Sequence, residues 1–303
     1  AIITFFSASH ILSQSTNLDS LYSIWKDQGE SDSIRVEAYK MYIWKGYMYT
    51  DPDSAYILAE ELHHFASDRE YLFAKAKAYN LQGVAKKVQQ EHDSALELFE
   101  KSLEIFNEIG NKRSSAACLN NIGLIYKSQG DYPRARKYYE RALSTFEEIG
   151  HKKNISGSLI NLANTYERQG NYSRALEHLT RALSILEDIG EKKDIARCLS
   201  SISIVYETQN KDSVGIGYEN RALSIRKEIG DELGIAMSMI NLGTSYVDRK
   251  KYTRAFEYYK EALMTFERIG DKKGIAICRH NIGRVYKLQG EMTSRWIITI
   301  RRC

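Results

Sequence analysis

The sequence predicts an all-α fold, a right-handed α-solenoid of tandem helix-turn-helix repeats, and three observations carry that prediction. The dipeptide Ile-Gly recurs at 109–110, 149–150, 189–190, 229–230 and 269–270. Tyr126, Tyr166, Tyr206, Tyr246 and Tyr286 return at the same interval of 40 residues. A third series runs Ala55, Ala95, Ala135, Ala175 and Ala255, with Gly215 in the one gap. A constant period of this length, free of insertions, marks stacked units that cannot bury their apolar faces alone.

Each unit divides into two helices. In 111–150, Leu119, Ile122, Gly123 and Tyr126 are spaced as one helix face requires. Gly130 then interrupts the pattern, and Asp131 is placed to cap the helix that follows. The second helix carries Ala135, Tyr139, Ala142, Leu143 and Phe146 on one stripe and stops at Ile149-Gly150, where glycine suits a left-handed cap. Gly123 and Ala135 are small where two helices approach closely, and Tyr126 and Tyr139 fill the space beside them.

Counting by this period gives full repeats at 31–70, 71–110, 111–150, 151–190, 191–230 and 231–270, then a half repeat at 271–290 whose lone first helix covers 271–289. The array proper is 71–290; 17–70 holds N-terminal helices, one of them near 17–28, and a divergent repeat in which Ile43 replaces the small residue. The fifth repeat has drifted, with Ser203 and Gly215 at the small positions, Asp212 for the tyrosine, Asn210 for the turn glycine, and Gly217. Residues 1–16 resemble the apolar core and cleavage end of an export signal, or else a frayed terminus. An export signal would place the chain in the periplasm or outside the cell; without one, the cytoplasm is the alternative. In the non-repeat tail, 291–303, the apolar stretch Trp296 to Ile300 stands where a capping helix is expected, so self-association through an uncapped end is the expectation.

Composition excludes several function classes. Of 303 residues, 43% are apolar and 27% charged, and only two are proline, which suits packed helices rather than a loop-rich β protein or a disordered chain. The net charge is +4, with Arg295, Arg301 and Arg302 in the tail, so no broad basic face for nucleic acid is expected. No apolar run is long enough to cross a bilayer, so no membrane span is expected within this chain. Cys118, Cys198 and Cys278 recur at twice the repeat length, with Ser158 and Ser238 between them, which reads as a small packing position rather than a disulfide or metal set. No His-Glu-x-x-His, phosphate-binding loop or nucleophile elbow occurs, and Gly215-Ile216-Gly217 lacks the third glycine of a dinucleotide turn. Neither an enzyme nor a cofactor is expected.

Gly123, Tyr126, Gly130, Tyr132, Ala135, Tyr139 and Ala142 together resemble the signature of the tetratricopeptide repeat family. The period of 40, with Asn241-Leu242-Gly243 and Ile269-Gly270-Asp271 followed by Gly274 and Ala276, is similar to the longer subclass found in kinesin light chains, spindle-orientation adaptors and bacterial peptide-pheromone receptors. The likeness covers about 71–290 well and 31–70 weakly. It implies a protein- or peptide-binding scaffold whose contacts lie on the first helix of each repeat, beside the small residue and one or two turns onward.

At that place stand Asn121, Asn161, Asn241 and Asn281, with Ser201 in the fifth repeat. A carboxamide offers a donor and an acceptor together, so a regular row of them suits the backbone of an extended peptide. The competing reading is that these amides bond their own or a neighbouring helix. Asparagine is a poor residue inside a helix, so its recurrence at one register favours the ligand. Further along the same face, Asn164, Lys127, Arg168, Arg284 and Lys287 suit an acidic side chain or a free carboxylate, with Asn120 and His280 nearby. The Lys-Lys pairs at 152–153, 192–193 and 272–273 read as solvated corners that favour the preceding helix C-terminus. The expected function is a scaffold that holds an extended peptide in the hollow of the array. The alternative is the periplasmic sensor region of a bacterial signalling protein whose output domain lies beyond this chain.

Overall fold

The computed structural model describes residues 17–289, so the export-signal reading of 1–16 and the apolar tail 291–303 lie outside the described residues. Among the described residues there are fourteen α-helices and no strands, and each helix packs against its successor within a unit. The chain divides into two compact units that meet in sequence at His151 and Lys152.

The first unit contains α1 (Leu18–Lys26), α2 (Asp32–Gly46), α3 (Pro52–Asp68), α4 (Leu72–Val88), α5 (His92–Glu108), α6 (Lys112–Ser128) and α7 (Tyr132–Glu148). The second contains α8 (Lys152–Arg168), α9 (Tyr172–Ile189), α10 (Lys192–Thr208), α11 (Asp212–Glu228), α12 (Glu232–Asp248), α13 (Tyr252–Ile269) and α14 (Lys272–Leu288). From α2 onward, even-numbered helices are the first of a repeat and odd-numbered helices the second.

Local chemistry sets these boundaries. Asp51, Asn111, Asp131, Asn171 and Asp231 each accept a hydrogen bond from a backbone N–H three residues on, satisfying a donor that the first turn would otherwise leave free. Both prolines of the chain sit in first turns, of α3 and α7, where a missing N–H costs nothing. Gly130 and Gly170 take positive φ in the turn between paired helices, yet Gln90, Asn210 and Lys250 hold the same turn at φ 67°, 59° and 57°. The repeat demands that conformation whether or not glycine is present.

Inside each repeat, one residue of the first helix faces one of the second, and their sizes are reciprocal. A Cβ added at Gly83, Gly123 or Gly243 would lie 2.8, 2.6 and 2.6 Å from the rings of Phe99, Tyr139 and Tyr259. The fourth repeat pairs Ala163 with the smaller Leu179, and the divergent repeat inverts the arrangement, with buried Ile43 on α2 and Ala59 on α3. Ile43 is therefore accommodated: the volume lost to it on one helix is returned by alanine on the other.

The recurring tyrosine has an equally local cause. Tyr126, Tyr206 and Tyr246 stack on Tyr138, Tyr218 and Tyr258 with centroids 5.4, 5.6 and 5.5 Å apart, and Tyr166 stacks on His178 at 5.4 Å. Arg134, Arg174 and Arg254 lie over Tyr126, Tyr166 and Tyr246, adding a cation to each ring pair. At the start of the chain, Trp25 of α1 stacks on Tyr39 at 4.1 Å while the Arg35 guanidinium covers Trp25 and Phe65, so α1 seals the apolar side of α2.

The expectation for the lysine corners needs correction at Lys152 and Lys192. Lys152 pairs with Asp188 and Lys192 with Glu228, 36 residues on along the second helix of the same repeat, so these lysines are held by carboxylates rather than by the preceding helix terminus. Lys112 pairs with Glu148 in the same way, and Arg268 with Glu232 in reversed polarity. Such pairs clasp the open ends of these four hairpins.

Candidate functional site: the faces of the first helices

The first helices of neighbouring repeats touch one another. In the second unit α8 packs directly on α10, and Ser245 of α12 donates to Glu207 of α10 at 2.5 Å. In the first unit the Asn80 amide on α4 donates to the Cys118 thiol on α6 at 3.3 Å. Residues at equivalent positions on these helices consequently form rows across each unit.

Asn161, Asn241 and Asn281 occupy one register of the second unit, with Ser201 between the first two. All four are half-buried, and among the described residues no side-chain hydrogen bond engages the three carboxamides. The hydroxyl of Thr165 donates to the main-chain oxygen of Asn161, and the Ser245 oxygen lies 3.0 Å from that of Asn241, leaving the amides themselves untouched. In the first unit Asn121 is likewise half-buried, with no side-chain hydrogen bond among the described residues, while the same register holds Leu81 and Met41.

The remaining candidates divide. Asn164 is half-buried and makes no side-chain hydrogen bond among the described residues. Arg284, Lys287 and His280 are exposed, and Arg168 is exposed with its guanidinium 3.6 Å from neighbouring Glu167. Lys127 and Asn120 are half-buried and already have partners within the chain. Sequence reasoning passed over three apolar neighbours of the carboxamide row. Met237 is 50% exposed and Ile277 48%, each one turn before an asparagine, and Ile204 is 44% exposed, one turn after Ser201. Their signal was the occurrence of large apolar residues outside the core stripe.

The fifth repeat departs furthest from the pattern. Glu219 and Arg226 stand where the second helix elsewhere carries Tyr139 and Phe146, Leu179 and Leu186, or Tyr259 and Phe266. Glu219 Oε1 accepts from Arg226 at 3.2 Å and from Ser200 at 3.1 Å, and Arg226 also donates to Ser238. Glu219 Oε2 is buried with no partner. Nearby, Glu207 accepts from Ser203 and Ser245, and burial raises its pKa above the ordinary glutamate value despite those two bonds. Drift at Ser203 and Gly215 is thus the edge of a buried polar core: a Cβ at Gly215 would lie 2.6 Å from the Glu207 side chain.

The three recurrent cysteines are buried and unpaired. Burial pushes the Cys198 thiol up to about 12 and the Cys278 thiol up to about 11, and it raises Cys118 as well, which makes them packing residues rather than nucleophiles.

The fold and its repeated small-large pairing define a helical repeat protein. The sequence pattern of the tetratricopeptide repeat matches residues 75–148, 154–228 and 234–293, and the chain belongs to that family. Curated proteins give no match. Among solved structures, the apo form of RapI is similar at TM-score 0.66 and 20% identity, covering 88% of this chain and 97% of that one. NprR in complex with its cognate peptide NprX is similar at TM-score 0.66 and 15% identity, covering 99% and 87%. BtubC (BKLC) from P. vanneervenii is similar at TM-score 0.57 and 23% identity, covering 73% and 91%. Likeness at these identities speaks to the fold.

Proposed function

We propose that this chain is a peptide- or protein-binding scaffold, and that an extended segment of the partner lies along the first helices of the second unit. The observation that carries this reading is the row Asn161, Asn241 and Asn281: half-buried carboxamides at one register, engaged by no side-chain hydrogen bond among the described residues. Each can give and take a hydrogen bond from a peptide backbone without regard to sequence. Met237, Ile277 and Ile204 flank the row and supply apolar contact for alternate side chains. The family supports the reading, as does the fold shared with NprR, which was crystallised with its cognate peptide.

The test uses the full chain. Peptides selected from a displayed 12-residue library are measured against the wild type and the Asn161→Ala/Asn241→Ala pair. Two lost hydrogen bonds at about 1 kcal/mol each predict a loss of affinity of at least about tenfold. Unchanged affinity in the double variant would remove the carboxamide row from recognition.

A further inference from the structure

Ile155, Ile195, Ile235 and Ile275 recur at one register on α8, α10, α12 and α14, whereas the same place on α6 is Ser115. The second unit shows what that isoleucine does. Leu183, Ile195 and Ile225 pack there against buried Leu199 and its neighbours. Their equivalents in the first unit are Leu103, Ser115, Thr145 and Leu119, so hydroxyls replace both isoleucines. In their place α5, α6 and α7 border a cavity of about 710 Å³ whose apolar side is Leu103, Phe106 and Leu119. The preceding first helix, α4, contributes nothing to the lining, so this cavity is separate from the contact between first helices.

Two more lining residues depart from the repeat, and both change charge. Lys137 stands where α5, α9 and α13 carry Glu97, Glu177 and Glu257. Asn107 stands where α7, α9 and α13 carry Glu147, Glu187 and Glu267. The carboxylates that do line the cavity are engaged: Glu148 pairs with Lys112, and Glu140 lies 3.6 Å from Arg136. Lys137 and Arg141 have no carboxylate within ion-pair distance among the described residues. Ser115 is only 6% exposed, and its Oγ is buried with no hydrogen-bond partner among the described residues. Such a hydroxyl has given up water for nothing in return, and a polar group brought into the cavity would complete it.

We propose that this cavity binds a small amphipathic monocarboxylate. Lys137 and Arg141 hold its carboxylate, Leu103, Phe106 and Leu119 take its apolar body, and a second polar group at its far end meets the Ser115 hydroxyl. The Lys112–Glu148 pair sets the register of the two antiparallel helices. Ser115 lies about one turn in from that end of α6, and Lys137 about three turns along α7, so a ligand that reaches both is elongated. The same ion pair spans one end of the cavity, which suits a short molecule better than a chain that must leave again. The volume is within the range of small-molecule sites, about 300–1,000 Å³. A bare inorganic anion would leave the apolar side and Ser115 unused. This inference goes beyond the scaffold reading and uses none of its residues.

Isothermal titration of the full chain with ω-hydroxydecanoate tests the proposal, beside decanoate, decanediol and an acetylated Asp-Glu-Asp-Glu peptide. The hydroxy acid is expected to bind at least about tenfold more tightly than decanediol, which lacks the carboxylate, and about fivefold more tightly than decanoate, which lacks the hydroxyl. Ser115→Ile restores the residue of the later repeats and fills the cavity; it is expected to abolish binding while raising the melting temperature by about 2 °C. Lys137→Glu restores the usual glutamate at an exposed position and is expected to weaken binding at least about tenfold. Asn161→Ala/Asn241→Ala is expected to change nothing, which separates this site from the carboxamide row. Four results would overturn the assignment: no measurable heat at millimolar hydroxy acid, undiminished binding or a lowered melting temperature in Ser115→Ile, equal binding of decanediol, or tighter binding of the peptide.

Discussion

Glu219 and Arg226 are joined at 3.2 Å inside the fifth repeat, in two positions that hold Tyr139 and Phe146 in the third. Neither residue has meaningful access to solvent, at 0% and 8% exposure. An ion pair in that place is retained only because each charge compensates the other. Arg226→Met should therefore cost about 3–5 kcal/mol, since it strands the Glu219 carboxylate. Glu219→Leu/Arg226→Leu, which copies Leu179 and Leu186, should be neutral or stabilising by about 1–4 kcal/mol. Urea denaturation of both variants decides; a double variant as unstable as the single one would contradict the argument.

Gly243 leaves no room for a side chain against Tyr259, whose ring is buried and whose hydroxyl is held by Thr244 at 3.1 Å. Gly243→Ala should destabilise by about 1–3 kcal/mol, and Gly243→Ala/Tyr259→Leu, which copies Ala163 with Leu179, should recover part of that loss. Thermal melts of the three proteins test the reciprocity directly.

Lys250 and Gln90 occupy turns at positive φ that other repeats give to glycine. A left-handed non-glycine residue carries a steric cost of about 1–2 kcal/mol, partly offset because glycine loses more entropy on folding. Lys250→Gly should thus stabilise the chain by roughly 0.5–1 kcal/mol, read as a shift in the denaturation midpoint at constant slope.

Glu207 titrates with its folded-state pKa above that of the unfolded chain, chiefly through burial. Protonation consequently favours folding: the contribution is full below the unfolded glutamate pKa and is lost as pH rises through the folded value. Glu207→Gln should raise the melting temperature at pH 7, and the difference from wild type should disappear towards about pH 4. A benefit that persists undiminished in acid would show that the carboxylate charge is not its cause.

Cys198 and Cys278 are held up to about 12 and about 11 by burial. Alkylation by iodoacetamide at pH 8, followed by peptide mapping, should find them modified about a hundredfold more slowly in the native chain than in urea.

The amino-acid sequence alone determined the helical repeat, its period and its punctuation, because glycine turns, capping carboxylates and one apolar stripe per helix are local chemistry that each repeat states again. Drift in the fifth repeat was equally visible at Ser203, Asn210 and Gly215. What it accomplished was not: only the packed helices show Glu219 and Arg226 buried and bonded to each other, with Ser200 and Ser238 as further partners. The exchange of Ile43 for glycine looked like decay until Ala59 was found returning the volume on the neighbouring helix. Lys112, Lys152 and Lys192, each two residues after a repeat-ending glycine, found their carboxylates 36 residues away, a distance no helical spacing suggests. The carboxamide register was legible in the chain, whereas the freedom of its side chains and the cavity beside Ser115 depend on which helices come to lie side by side. Local propensity is written residue by residue; compensation of volume and charge belongs to pairs distant in sequence, and only packing brings those pairs together.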